Sequence, residues 1–81
     1  MVVTPQLIGR AHFSITPSDS ADLDDVATGG IYVGAAGDVK FRDLGGTDVT
    51  WVMQAGGMIP VAAVRVFDTG TTATGLVGVI A

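Results

Sequence analysis

The side chains that could carry out chemistry are few in this sequence. His12 is the only histidine, and Ser14 follows it two positions later in the stretch RAHFSI. Side chains two positions apart on a strand leave the same face side by side, which does not suit the nucleophile–base contact of a catalytic triad. The chain has no cysteine, which excludes thiolate catalysis. We therefore expect no catalytic residue and no enzyme, and we interpret His12 as a surface or interface side chain.

The glycine-rich stretch TGTTATGLV, residues 69–77, has the glycine spacing of a phosphate-binding loop. Such a loop needs a lysine directly after its second glycine, but Leu76 follows Gly75 here. A dinucleotide fingerprint would need a βαβ unit, and nothing in the sequence predicts one. We interpret the stretch as a connection into the last strand, whose threonines can satisfy backbone groups of the turn. No cofactor is expected.

One cluster of carboxylates could attract a cation, because hard cations prefer oxygen ligands. It consists of Asp19, Asp22, Asp24 and Asp25. Its spacing is not that of an EF-hand loop. Thr16 can cap a short helical turn, Pro17 suits its first position, and Asp19 has the spacing of a capping box. We predict a capped, solvated acidic loop without a metal, and a bound Ca²⁺ ion is the alternative.

Charge and composition narrow the range of partners. The net charge is −4 with four basic residues, so no cationic stripe is available for a nucleic-acid backbone. No apolar run approaches the roughly 20 residues of a membrane span, and the start MVVTPQLIGR does not resemble a secretion signal. The chain is 48% hydrophobic but only 15% charged, which is more apolar surface than a small core can hide. We therefore expect association with other copies or other proteins, and no binding to nucleic acid or membrane.

Short runs rich in Val, Ile and Phe alternate with glycine pairs, which is typical of an all-β sandwich or barrel. We predict a small antiparallel β-sandwich or barrel of about six strands, oligomeric, with an N-terminal arm over 1–10 and a single β domain over 11–81. The predicted strands are 8–15, 30–35, 38–44, 47–54, 58–68 and 74–80.

Local patterns predict how several of these strands begin, end and face. Gly45 and Gly46 predict a two-residue hairpin turn in which both take a positive φ. In the next strand Val49, Trp51 and Met53 share a face, and Trp51 is expected to point inward. Pro60 cannot donate a backbone hydrogen bond, so it should lie near a strand start or edge. The other expected turn glycines are Gly70 and Gly75.

The segments 58–68 and 74–80 are apolar on both faces. A strand with this pattern is buried on both sides, and a second sheet or another subunit must then cover it. The last strand could also offer an unpaired edge that a neighbour completes. Arg10, Arg42 and Arg65 are expected to contact acidic loops of a neighbour. The interface candidates are Ile59, Val61, Val64, Arg65, Phe67, Leu76, Val77, Val79 and Ile80.

Four stretches carry a resemblance to a known family: FSITPSDSADL, IYVGAAGDVKF, GGTDVTW and AGGMIPVAAVRVFDTGTTATGLVGVIA. In order and spacing they are similar to the spike base proteins of gene transfer agents and related tailed-phage heads, over residues 11–81. Ala62, Ala63 and the ending Ile80–Ala81 depart from the family, which often carries basic residues and an aromatic residue in these regions.

The resemblance implies a structural virion protein, assembled in the host cytoplasm, that forms a ring on the capsid and anchors a head spike or fibre. Its implied partners are further copies in a cyclic pentamer, the major capsid protein and the spike or fibre protein. The alternatives are a capsid decoration or cement protein, a neck or tail protein, and a host-surface glycan-binding module that uses Trp51 and Tyr32.

Overall fold

A computed structural model describes residues 10–81, which form two antiparallel sheets. The strand order is β1-β7-β2-β5 in the first sheet and β4-β3-β6 in the second. This sandwich confirms the predicted fold class. The arm expected over 1–10 lies outside the described residues except for Arg10. The strands are β1 (Ala11–Ser14), β2 (Gly30–Ala35), β3 (Gly37–Asp43), β4 (Asp48–Met53), β5 (Gly57–Ile59), β6 (Ala63–Val66) and β7 (Thr74–Ile80).

One hydrophobic core lies between the two sheets, and both contribute alternate residues to it. Ile31 and Val33 of β2 and Val39 and Phe41 of β3 are completely buried. Burial of an aliphatic or aromatic side chain contributes about 1.5–3 kcal/mol, so these residues are the main source of stability. Trp51 packs against the core with its ring edge-on to Phe41 at a centroid distance of 6.1 Å. Its inward orientation is as predicted.

The predicted strand 58–68 is two short strands that belong to different sheets. β5 pairs with β2 in the first sheet and β6 pairs with β3 in the second. The segment is apolar on both faces because Ile59 is buried in one sheet and Ala63 and Val66 are buried in the other. Pro60 follows β5, an edge strand, and lies in the crossing between the sheets.

The last strand, β7, is an interior strand, so the expected unpaired edge at the end of the chain is wrong. β1 pairs with one side of β7, from Ala11 opposite Ile80 to Ser14 opposite Val77. β2 pairs with its other side. Both hydrogen-bonding edges of β7 are therefore occupied within the chain, while Val77 and Val79 on its outer face remain half-buried.

The hairpin between β3 and β4 has a three-residue loop, and the predicted two-residue turn is wrong. The Asp43 amide donates to the Thr47 carbonyl at 2.9 Å, and the Gly46 amide donates to the Asp43 carbonyl at 3.0 Å. Gly46 has a φ of +88°, whereas Gly45 does not have a positive φ. This is the pattern of a tight turn followed by one left-handed residue, which requires glycine only at its last position.

The segment before β2 forms no helix, and Thr16 does not cap one. The Ser18 hydroxyl instead accepts the amides of Ser20 and Ala21 at 3.3 and 3.1 Å. The segment then runs along β6, where the Leu23 amide donates to the Val64 carbonyl at 2.8 Å and Ala27 bridges to Ala63. It is an ordered acidic loop that covers the outer edge of β6.

Candidate interaction site

His12 and Ser14 both lie exposed on β1, opposite Val79 and Val77 of β7. No hydrogen bond joins the two side chains among those found for residues 10–81. The pair therefore has the side-by-side geometry expected for a strand, and it does not form a nucleophile and base.

The glycine-rich stretch is a loop that three threonines tie to the rest of the domain. Thr69 donates from its amide and its hydroxyl to the two carboxylate oxygens of Asp19, at 2.9 and 2.6 Å. The hydroxyls of Thr71 and Thr72 accept the amides of Lys40 and Asp38 at 3.0 and 2.8 Å. Thr71 and Thr72 thus pair with β3 beyond the point where β6 ends, and the amides of Thr69, Thr71, Thr72 and Ala73 all donate within the chain, which leaves none of them for a phosphate.

Of the two glycines predicted to form turns around this loop, only one does so. Gly70 lies in the loop with a φ of +97°. Gly75 lies inside β7 with a φ of +66°, so its placement in a turn is wrong. Its position is a close approach of strands, because a Cβ added at Gly34 would lie 2.9 Å from the Gly75 carbonyl oxygen.

The acidic side chains between 19 and 25 do not converge on one point. Asp19 binds Thr69, Asp22 binds Arg65, and the Asp25 carboxylate accepts the amide of Val26. Among the residues that the structure describes, no group of three or more acidic or histidine side chains could hold a metal ion. The hydrogen bonds from Thr69 lower the pKa of the Asp19 carboxyl.

The three arginines expected to contact a neighbour are all bonded within the chain. Arg65 Nε lies 2.8 Å from Asp22 Oδ1, and Arg42 Nε lies 2.7 Å from Asp48 Oδ1. The bond from Arg42 lowers the pKa of Asp48. Arg10 donates to the backbone oxygen of Ala81 at 3.2 Å. The acidic loop that Arg65 contacts is therefore that of its own chain.

Two surfaces stand out on the outside of the sandwich. The first, which we call the cationic cluster, consists of Lys40, Arg42, Arg65 and Phe67 on the second sheet. The Lys40 ammonium lies 4.9 Å from the centroid of the Phe67 ring, and the guanidinium carbons of Arg42 and Arg65 lie 5.4 and 5.7 Å from it. Three of the four basic residues of the chain therefore surround one aromatic ring.

The second surface, which we call the apolar face, is the outer side of the first sheet. Strand register places Ser14, Val77, Tyr32 and Met58 in one row across all four strands. Tyr32 and Met58 are 40% and 44% exposed. Val79 lies in the next row, beside His12. No Asp, Glu, Lys or Arg points outward from the described strands of this sheet.

The sequence-based interface candidates are divided between the core and the surface. Ile59 and Leu76 are buried in the core of the chain itself, so their side chains do not lie on the surface. Val61 packs partly against the core, and Val64 and Ile80 are half-buried. Val77 and Val79 lie on the apolar face, and Arg65 and Phe67 belong to the cationic cluster. Tyr32 and Met58 were not among the candidates. Tyr32 lies between Ile31 and Val33 on a strand, and this alternation could have indicated that its side chain points outward.

The described part of the chain contains no helix that is long and apolar enough to span a membrane.

Comparisons with known proteins identify a solved structure to which this chain is similar. No family model matches the chain, and no curated protein matches it. Among solved structures, it is similar to a chain of the structure described as "Capsid of native GTA particle computed with C5 symmetry", where GTA stands for gene transfer agent. The two chains are 41% identical with a TM-score of 0.82, and the match covers 96% of this chain and 90% of the other. Identity at this level over nearly the whole length indicates common descent in addition to a shared fold.

Proposed function

We propose, from the premise that the chain belongs to the same family as a protein of the gene transfer agent capsid, that it is a structural protein of a phage-like particle. The observation that carries this proposal is the 41% identity over 96% of the chain. The surface of the described residues is consistent with this proposal. Its exposed apolar and charged side chains suit contact with other proteins, and His12 and Ser14 do not form a nucleophile–base pair.

Within that role, the chain would form a ring that sits on the capsid and anchors a head spike or fibre. The four sequence stretches similar to spike base proteins support this, as does the C5 symmetry under which the related capsid structure was computed. A ring on a five-fold vertex would have that symmetry, so a cyclic pentamer is the expected assembly. The major capsid protein and the spike or fibre protein are the expected partners.

The apolar face is the surface that we assign to contacts between copies. Obligate interfaces are more hydrophobic than transient ones because they are never exposed to water in the assembly. Tyr32, Met58 and Val77 form a continuous apolar row, and Val79 extends it. A sugar-binding role for the aromatic residues is less well supported, because Trp51 packs edge-on against Phe41 and only Tyr32 of the two candidates is exposed.

Sedimentation velocity combined with native mass spectrometry tests the ring. We expect a closed cyclic oligomer, with five copies as the proposed number, at micromolar protein concentration. A stable monomer under these conditions would contradict a ring held together by the chain alone.

A cryo-electron microscopy map of the intact particle tests the position. Density for this chain at the five-fold vertices beneath a spike or fibre is the expected result. Density distributed over the capsid faces would favour a decoration or cement protein, and density at the portal end would favour a neck or tail protein.

A further inference from the structure

We infer that the cationic cluster binds an extended acidic segment of a partner protein, whose carboxylates occupy alternate positions along its chain. The inference rests on the proposed function, since it names the chemistry of one protein that this chain would contact in a particle. It concerns a different surface from the apolar face, and the two can be tested separately.

The geometry of the cluster presents its charges outward on a rigid support. Lys40 and Arg42 lie two positions apart on β3, which is the central strand of its sheet. The Phe67 amide donates to the Lys40 carbonyl at 2.8 Å, which fixes the aromatic ring beside that strand. Phe67 is only 8% exposed, because the side chains of the three basic residues surround it. The ring is covered, and the basic side chains around it are themselves half-buried, with those of Arg42 and Arg65 33% and 17% exposed.

The three cations of the cluster differ in whether the chain supplies a carboxylate partner. Arg42 and Arg65 lie directly opposite each other on β3 and β6. Like charges in directly opposed positions destabilise a sheet. The ion pairs of Arg42 with Asp48 and of Arg65 with Asp22 offset this repulsion, and the pKa of Arg42 is raised by its hydrogen bond to Asp48. Lys40 forms no ion pair with the carboxylates of residues 10–81. An added carboxylate would therefore meet in Lys40 a cation that has no ion-pair partner among the described residues.

The spacing of the cluster indicates the shape of the segment that it would bind. Lys40 and Arg42 are separated by two residues of extended chain, or about 7 Å. An extended acidic segment repeats its side chains on one face at that same distance, so carboxylates at alternate positions can meet both cations at once. Arginine forms charge-assisted hydrogen bonds with carboxylates through its planar fork, as Arg42 already does with both oxygens of Asp48 at 2.7 and 3.3 Å.

Two other anions are less suitable for this surface. Nucleic acid needs an extended cationic track, and this chain has four basic residues against eight acidic ones. The acidic loop of a second copy is less suitable, because its Asp19, Asp22 and Asp25 are already bonded within the chain, which leaves only Asp24 and so no pair of carboxylates at alternate positions.

Fluorescence anisotropy with short labelled peptides tests the inference at low ionic strength. The probes are a Ser-Asp alternating peptide, its Ser-Asn counterpart, a peptide with the same aspartates in one block, and an oligothymidylate of equal charge. The proteins are the wild type, Lys40→Gln, Arg42→Gln and Arg42→Lys, with Arg10→Gln as the control that removes one positive charge outside the cluster. Circular dichroism checks that each variant is folded, and Lys40→Gln removes no ion pair.

We expect the alternating peptide to bind the wild type and Arg10→Gln equally, and to bind more tightly than the block peptide. Lys40→Gln and Arg42→Gln should each lower the affinity for the alternating peptide about tenfold, and Arg42→Lys should lower it by a smaller factor. The asparagine peptide should not bind.

Absence of binding, equal binding to Lys40→Gln, Arg42→Gln and Arg10→Gln, or equal affinity for the two acidic peptides would overturn the inference. Tighter binding of the oligothymidylate would overturn it in favour of nucleic acid. The same preparations are examined by sedimentation, which separates the two proposals. If the protein forms a ring but does not bind the peptide, only the inference is overturned. If it is a monomer that binds the peptide, the ring is contradicted and the inference stands.

Discussion

Asp19 and Thr69 lie 50 positions apart in the sequence and are joined by two hydrogen bonds. The capping-box spacing around Asp19 predicts that its carboxylate binds amides of its own segment. In the structure the carboxylate instead binds the glycine-rich loop, and Ser18 satisfies the local amides. Because a carboxylate accepts amide and hydroxyl hydrogen bonds from any direction, its local spacing cannot specify which partner it meets.

Substitution of Asp19 by Asn should lower the melting temperature in a pH-dependent way. The pKa of Asp19 is lowered from 3.8 by its hydrogen bonds to Thr69, so the stability that ionisation contributes is fully present well above that value. That contribution is lost as the pH falls through the lowered pKa of the folded state. Thermal unfolding followed by circular dichroism should show a clear difference between wild type and Asp19→Asn at neutral pH.

The difference should narrow as the pH is taken below 3.8. Asp24→Asn is the matched control, because Asp24 makes none of the side-chain hydrogen bonds found for the described residues. A melting-temperature difference that stays the same at low pH would show that charge at Asp19 does not stabilise the loop.

At the scale of elements, the loop between β3 and β4 shows what a glycine pair can and cannot indicate. Two adjacent glycines mark a turn, but the register of the strands decides how many residues it contains. The pairing of Arg42 with Asp48 leaves room for a three-residue loop closed by Asp43 and Thr47. Only Gly46 then needs the left-handed region, and a Cβ at Gly45 would meet only the Asp43 carboxylate, at 3.3 Å from Oδ1.

The variants Gly46→Val and Gly45→Val together measure how much the two glycine positions differ in their tolerance of a side chain. Gly46→Val should destabilise the protein by about 1–2 kcal/mol, because a branched side chain is strained at a φ of +88°. Gly45→Val should cost much less, since its φ is not positive. Urea unfolding at equilibrium gives both values. Equal losses of stability in the two variants would contradict the three-residue loop.

The sequence predicted most strands near their observed positions, but it did not predict how they are joined into sheets. Strands 30–35 and 74–80 agree with β2 and β7, because a short run rich in Val and Ile between glycines is typical of a strand. The segment 58–68 was read as one strand because its residues are apolar throughout. Such a run can be one strand that is buried on both faces, or two strands in separate sheets. Only long-range strand pairing distinguishes these possibilities.

At the scale of the whole molecule, the two sheets present different outer faces. The first sheet exposes Tyr32 and Met58 without charged neighbours on its strands, and the second sheet gathers three cations around Phe67. A component of a permanent assembly can carry both kinds of surface, because the particle covers the apolar one. This separation supports two distinct protein contacts in the proposed role.

A charge placed on the apolar face should dissociate the proposed ring without unfolding the chain. Met58→Lys introduces an ammonium at a position that is 44% exposed in the single chain, so the fold can accommodate it. Burial of that charge between copies would be unfavourable. Sedimentation velocity should therefore show Met58→Lys as a folded monomer where the wild type is an oligomer.

Val52→Lys is the matched control for this experiment. Val52 is 79% exposed and lies on β4 of the other sheet, so its substitution should leave the oligomer unchanged. An intact oligomer for Met58→Lys, or dissociation by both variants alike, would show that the apolar face is not the contact between copies.

The sequence by itself determined the strand content, the absence of a catalytic pair at His12 and Ser14, and the resemblance to a family of particle proteins. The first two follow from local composition and spacing, whereas the resemblance depends on likeness to a known family along residues 11–81. The tertiary structure decided that β7 is interior, that the acidic loop covers β6, and that Lys40, Arg42 and Arg65 meet over Phe67. The physical reason is that each strand has two edges with the same hydrogen-bonding groups, so the choice of neighbour depends on the packing of the whole core.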